Sequence, residues 1–169
     1  MKEFPIFNMN LDEVVAFAID ILDDMSYGLY QFGNDNYNDF DDSYNSILFE
    51  TIEEAEEELY DICLKFNNIS KQNKIKIYRS IHINSIEDLN EEDLGECWAF
   101  DEKGARTFGY MNVKRPIFLL KGVTTRNNIN WMESLKRYII NSLGHYGDEE
   151  NELVIKDSYN VEVLDVSKI

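Results

Sequence analysis

Two glutamates and one arginine are the residues whose type and spacing suit chemistry best. Glu150 and Glu152 stand two positions apart in Leu143-Gly144-His145-Tyr146-Gly147-Asp148-Glu149-Glu150-Asn151-Glu152-Leu153-Val154-Ile155. A glycine-punctuated turn there runs into an apolar stretch, which predicts a loop feeding a buried β-strand. Side chains alternate across a strand, so the two carboxylates are expected on one face. So placed, one carboxylate can stabilise developing positive charge, and the other can draw a proton, the latter worth on the order of 10²–10⁴-fold in rate. The third group is Arg79, in Lys74-Ile75-Lys76-Ile77-Tyr78-Arg79-Ser80-Ile81. Period-2 alternation puts Arg79 with Ile75, Ile77 and Ile81, and puts Lys76, Tyr78 and Ser80 on the opposite face. An arginine on an apolar face calls for an anionic partner from the protein or from a ligand, and its planar fork suits phosphate. Spacing alone does not single out the late pair, because Glu54, Glu56 and Glu58 repeat it within a helical pattern. Context does: an aromatic-bearing loop before, a strand after, and Arg79 upstream on another strand.

The elements that must position these groups follow from periodicity. Asn10-Leu11-Asp12-Glu13 reads as an N-cap with an acid three residues on, followed by Leu11, Val14, Val15, Ala18, Ile19 and Leu22 at helical spacing. Residues 27–50 interleave tyrosine, asparagine and aspartate, and no calcium-loop series can be laid on them. Thr51 to Glu54 is a second capping box, and Ile52, Ala55, Leu59, Ile62, Cys63 and Phe66 form the inner stripe of its helix. The acids Glu53 to Glu58 favour that helix N-terminus electrostatically. After the Arg79 strand comes a short helical segment capped by Ser85, then a strand ending near Phe100. Asp101 is expected to cap a helix carrying Ala105 and Phe108 inward. A strand from Arg115 to Val123 follows, with Pro116 at its start. Asn128 or Asn130 caps a helix bearing Trp131, Leu135, Tyr138, Ile139 and Leu143, and Glu152–Lys156 and 159–166 are expected to close the chain as a hairpin through Asp157-Ser158. Helices first and short strands later predict an α+β fold: N-terminal helices followed by a mixed, mainly antiparallel sheet in a single domain over 1–169.

Charge divides the chain. Residues 1–70 carry two bases against seventeen acids, whereas 71–169 carry fourteen against sixteen. So anionic a front section repels nucleic-acid phosphate, which argues against direct DNA or RNA binding. Cys63 and Cys97 are isolated, without a CxxC, and His82 and His145 stand alone, so neither a disulfide framework nor a metal site is expected. Both thiols are expected to be buried and inert, and His82 to be a strand end without chemistry. The N-terminus lacks the apolar run of a signal peptide and no stretch approaches a membrane span, so a cytoplasmic protein is expected.

Arg79 on a strand after N-terminal helices, the aromatic strand-to-helix segment from Trp98 to Phe108, and Glu-x-Glu entering a late strand resemble the mono-ADP-ribosyltransferase family of the arginine, serine, glutamate type. The resemblance covers roughly residues 74–166, so that 1–72 stand before it as an acidic helical section and 73–169 form the transferase-like core. It implies NAD as the ADP-ribose donor and a protein as acceptor. It implies that Arg79 holds the NAD phosphates, that Glu152 binds the nicotinamide-ribose hydroxyl, and that Glu150 engages the acceptor. Tyr146 falls where the family has an aromatic ahead of the two glutamates, and Trp98 would wall the nicotinamide pocket. A glutamate rather than a glutamine at position 150 implies arginine as the acceptor side chain. The chain departs from the family on the middle strand, where Cys97-Trp98-Ala99-Phe100 replaces Ser-Thr-Ser and supplies no hydroxyl to orient Glu152.

A different class of function fits the acidic front section. A non-catalytic binding protein with this charge would block a basic partner such as a nucleic-acid enzyme. Small, acidic, Asn- and Ile-rich chains of this sort resemble phage-borne effectors.

Overall fold

The computed structural model describes residues 8–21, 59–109, 115–143 and 151–169. The tyrosine- and aspartate-rich segment, the second capping box with Ile52, Ala55 and the Glu53 to Glu58 run, Leu22, Tyr146 and Glu150 lie outside the described residues.

Residues 11–21 form helix α1 and 59–70 form helix α2. The cap of α1 is reciprocal: the Asn10 amide donates to Glu13 Oε2 at 2.8 Å and the Glu13 amide to Asn10 Oδ1 at 3.0 Å, satisfying two of the donors a helix start leaves open. Its buried stripe is Val14, Ala18 and Ile21, at spacings of four and three. Ile19, expected inside, is 45% exposed, because a turn of 100° per residue carries it past the edge of that stripe. Along α2 the expected Leu59, Ile62, Cys63 and Phe66 are all buried.

The chain then builds one five-stranded sheet among the described residues. Its strands are β1 (Lys74–His82), β2 (Cys97–Ala99), β3 (Ile117–Thr125), β4 (Glu152–Val154) and β5 (Glu162–Lys168), in the order β4-β2-β1-β3-β5. Every pairing is antiparallel, in place of the mixed sheet the pattern suggested. Helices α3 (Glu102–Gly109) and α4 (Trp131–Leu143) complete the fold, whose class is α+β. One face of the sheet, through Ile75, Ile77, Trp98, Leu120 and Leu153, shares a buried core with α1, α2 and α4. Within it Phe66 meets Phe100, Trp131 and Tyr138 edge-on at centroid distances of 6.1, 6.4 and 5.2 Å; each such contact adds about 0.5–1.5 kcal/mol beyond area burial. The other face carries a smaller cluster of Ala99, Ala105 and Leu119, where α3 lies on the sheet.

The expected hairpin between β4 and β5 does not form. β4 pairs with β2 and β5 with β3, at opposite edges of the sheet. The outer edge of β4 is engaged elsewhere at Val154: Val154 N donates to Ser134 Oγ at 2.8 Å, Val154 O accepts from Asn130 N at 2.8 Å, and Ile155 bridges Ile129. With the Val154 rung taken, the Asp157 side chain turns the chain through Tyr159 N at 2.9 Å and Asn160 Nδ2 at 3.0 Å, and the chain crosses to β3. The candidate caps of α4 divide their labour. Asn130 caps the helix through Glu133 N at 3.2 Å, while Asn128 binds Thr124 Oγ1 at 2.9 Å and the Asp157 carbonyl at 2.8 Å.

Among the described residues no helix is long and apolar enough to cross a membrane.

Candidate functional site

A cavity of about 290 Å³ lies where β1 and β2 meet α3, bordered by residues 78–82, residues 97–99, Gly104, Ala105 and Glu152. That is close to the lower end of small-molecule pockets, about 300 Å³. The strand order accounts for the meeting, since β4, β2 and β1 are neighbours. Registers Tyr78 with Ala99 and Ala99 with Glu152 put these three in one row across the sheet. Alternation adds Ser80, His82 and Cys97 to the same face and turns Arg79 and Trp98 to the other. β1 and β2 pair only through Tyr78 and Ala99. Beyond that pair the Arg79 side chain spans the strands, with Nη1 donating to the Cys97 carbonyl. Residues of both faces therefore border one cavity.

Glu152 is held through its neighbour Asn151 and through Arg137. Asn151, directly before it, adopts a left-handed φ of 50°, a conformation asparagine tolerates better than most residues. Asn151 is gripped by Asp101, whose Oδ2 accepts from Asn151 Nδ2 at 2.6 Å while its Oδ1 caps α3 at Gly104 N, 2.7 Å away. The Glu152 carboxylate, on a residue only 8% exposed, pairs through Oε1 with Arg137 Nη1 at 2.7 Å. The same Nη1 is 3.3 Å from Cys97 Sγ, and Arg137 Nε donates to Glu133 Oε1 at 3.0 Å. The Arg137 guanidinium is raised above its ordinary pKa, first by its bond to Glu133 and then by Glu152. The Cys97 thiol is pushed up as well, chiefly by burial and then by its hydrogen bond to Glu152, with Arg137 opposing.

Arg79 has a different setting. Gly95, at φ +72°, lies so close that a Cβ there would fall 2.7 Å from Nη2 and 2.8 Å from Cζ. Burial lowers the pKa of its guanidinium, with Asp93 and Glu152 pulling the other way at longer range. Among the described residues no carboxylate pairs with it. Its Nε and the Nδ1 of His82 are buried polar atoms without a partner, and both residues border the cavity. A buried polar atom without a partner costs about 1–3 kcal/mol, and both of these present almost no accessible surface. Trp98 is buried in the core, and its Nε1 donates to the Gly95 carbonyl at 3.1 Å.

Of the residues singled out by sequence pattern, then, Arg79, Trp98 and Glu152 border one cavity, whereas Glu150 and Tyr146 lie outside the described residues. Three further residues enter that the pattern passed over. Cys97 was expected to be an inert buried thiol and instead touches Glu152 and Arg137. Arg137 had no assigned role, although its i,i+4 relation to Glu133 was visible. His82 ends β1, as its pattern predicts, and also borders the cavity. Among the described residues no cluster of His, Cys, Asp and Glu could hold a metal ion. Compared with protein-family models, curated proteins and solved structures, the chain has no match.

Proposed function

We propose that the protein transfers ADP-ribose from NAD to a protein side chain, with arginine as the acceptor. The observation that carries this reading is the single cavity bordered by Glu152, Trp98 and Arg79, the three described residues to which the family resemblance gives donor-binding roles. One detail supports it. A cavity of about 290 Å³ suits the nicotinamide-ribose half of the dinucleotide, while the larger remainder would extend beyond it.

In this reading cleavage of the bond from nicotinamide to ribose leaves both bonding electrons on nicotinamide and positive charge on the sugar. Glu152 stabilises that charge, as a fixed carboxylate does in glycoside cleavage. An acceptor guanidinium nitrogen then forms the new bond to the same carbon, and its proton passes to Glu150. Arg79 meets the phosphates with a fork that lysine lacks. Where the family has a hydroxyl beside the glutamate, this chain offers the Cys97 thiol and the Arg137 guanidinium, both in contact with Glu152.

The test is NAD binding together with nicotinamide release by the purified protein, with Glu152→Gln as control and an excess of agmatine as free guanidinium acceptor. The expected result is release that the substitution abolishes while the thermal transition is retained. Absence of release, whether or not NAD binds, would refute the reading and leave the acidic binding protein in front. That alternative would show itself as capture of a basic protein weakened by salt.

A further inference from the structure

We propose that Arg137 is the positioning residue of this site, holding the Glu152 carboxylate in the one orientation that faces the cavity. The inference rests on the transfer reading of Glu152. It begins with how α4 lies against β4. Ser134 Oγ accepts Val154 N at 2.8 Å and donates to its own helix at Asn130 O, 2.7 Å away, so the separation of helix and strand is set at that point. Ser134 and Arg137 are three apart and therefore on the same side of the helix. From one to the other the helix rises about 4.5 Å, and from Val154 back to Glu152 the strand travels about 6.6 Å. The rows run in opposite directions, so a long side chain at 137 arrives at 152. A short one would not.

The guanidinium is itself fixed. Glu133, one turn earlier, accepts from Nε at 3.0 Å, while Nη1 serves Glu152 Oε1 at 2.7 Å and Cys97 Sγ at 3.3 Å. Three elements, α4, β4 and β2, thus converge on one planar group with directional donors. The arrangement has a cost, because a cation beside Glu152 diminishes the negative field the carboxylate presents to the sugar. The gain is orientation. A buried carboxylate without a partner turns toward solvent, and a misplacement of about 1 Å at a reacting centre can cost on the order of 10²-fold in rate.

The experiment measures nicotinamide release from NAD, with agmatine as acceptor, for the wild type, Arg137→Met and Arg137→Lys. Methionine keeps much of the apolar stem without donors; lysine keeps the charge and one line of donation. The expected result is a kcat lowered about 10²-fold in Arg137→Met, with the KM for NAD within about threefold of wild type. Lysine should restore part of the loss. A structural role alone would not split kcat from KM or respond to lysine. An active wild type whose kcat Arg137→Met leaves unchanged, or a loss confined to KM, overturns the positioning role and spares the transfer reading. A wild type that releases no nicotinamide removes both. Should Arg137→Met fail to fold, Arg137→Lys decides: it must lower kcat without changing KM, and an unaltered kcat refutes the proposal.

Discussion

Replacing Gly95 by alanine should displace Arg79, and the size of the effect can be worked out. At φ +72° an alanine pays for left-handed backbone, about 1–2 kcal/mol. Its Cβ would also lie 2.7, 2.8 and 2.9 Å from three atoms of the guanidinium, closer than side chains pack. The guanidinium must move, and in moving it surrenders the bond from Nη1 to the Cys97 carbonyl. A hydrogen bond from a charged group contributes about 1.5–3 kcal/mol, so the whole substitution should cost about 2.5–5 kcal/mol. In a chain of this size that lowers Tm by about 5–20 °C. The assay is urea denaturation of the wild type, Gly95→Ala, Arg79→Ala and the double variant. With Arg79 already truncated, the alanine meets nothing and its cost should shrink to the backbone part, leaving a coupling of about 1.5–3 kcal/mol. Costs that add to within about 0.5 kcal/mol would refute the claim that Gly95 exists to admit Arg79.

Two further expectations concern the thiols. The Cys97 thiol is raised by burial and by Glu152 and lowered by Arg137, so its alkylation at a given mildly alkaline pH should speed up in Glu152→Gln and slow down in Arg137→Met; mass spectrometry of iodoacetamide-treated protein reads both, and equal rates in all three proteins would contradict the network. Burial pushes the Cys63 thiol up to about 11, against roughly 8.5 in an unfolded chain. The unfolded state therefore loses its proton first. The contribution is complete below about pH 8.5 and declines as pH rises toward 11, at about 1.4 kcal/mol per unit; Cys63→Ala should flatten that part of the stability profile relative to wild type.

Much of this was legible in the residues, and the reasons for what was not are physical. Local signals held: the reciprocal cap of Asn10 and Glu13, the Asp101 cap of α3 and the Asn130 cap of α4 need only neighbours in sequence. Arg79 announced itself by sitting on an apolar face. The hairpin does not form because strand pairing is a competition, and the edge of β4 is engaged at Val154 by Ser134 and Asn130. Arg137 was invisible for the same reason, since nothing local says which strand α4 will lie against. Cys97 is half-buried rather than buried, and its place beside Glu152 is not legible locally, since only its register beside β4 brings it there.

The unequal pairing around β1 has a mechanical consequence. Along β3, β1 is joined by an unbroken ladder from Lys74 with Thr125 to His82 with Ile117, whereas along β2 it is joined at one rung. Strain in a sheet is shared among its rungs, so this one contains a fault line: β1, β3 and β5 form a plate, β2 and β4 a narrow ribbon, and Arg79 is the stitch between them. Tension across the sheet would part it there first, with plate and ribbon each intact. The cavity straddles that line, so a molecule lodged in it would act as a second stitch, and its grip would be felt as stiffness between two bodies rather than as a change within either.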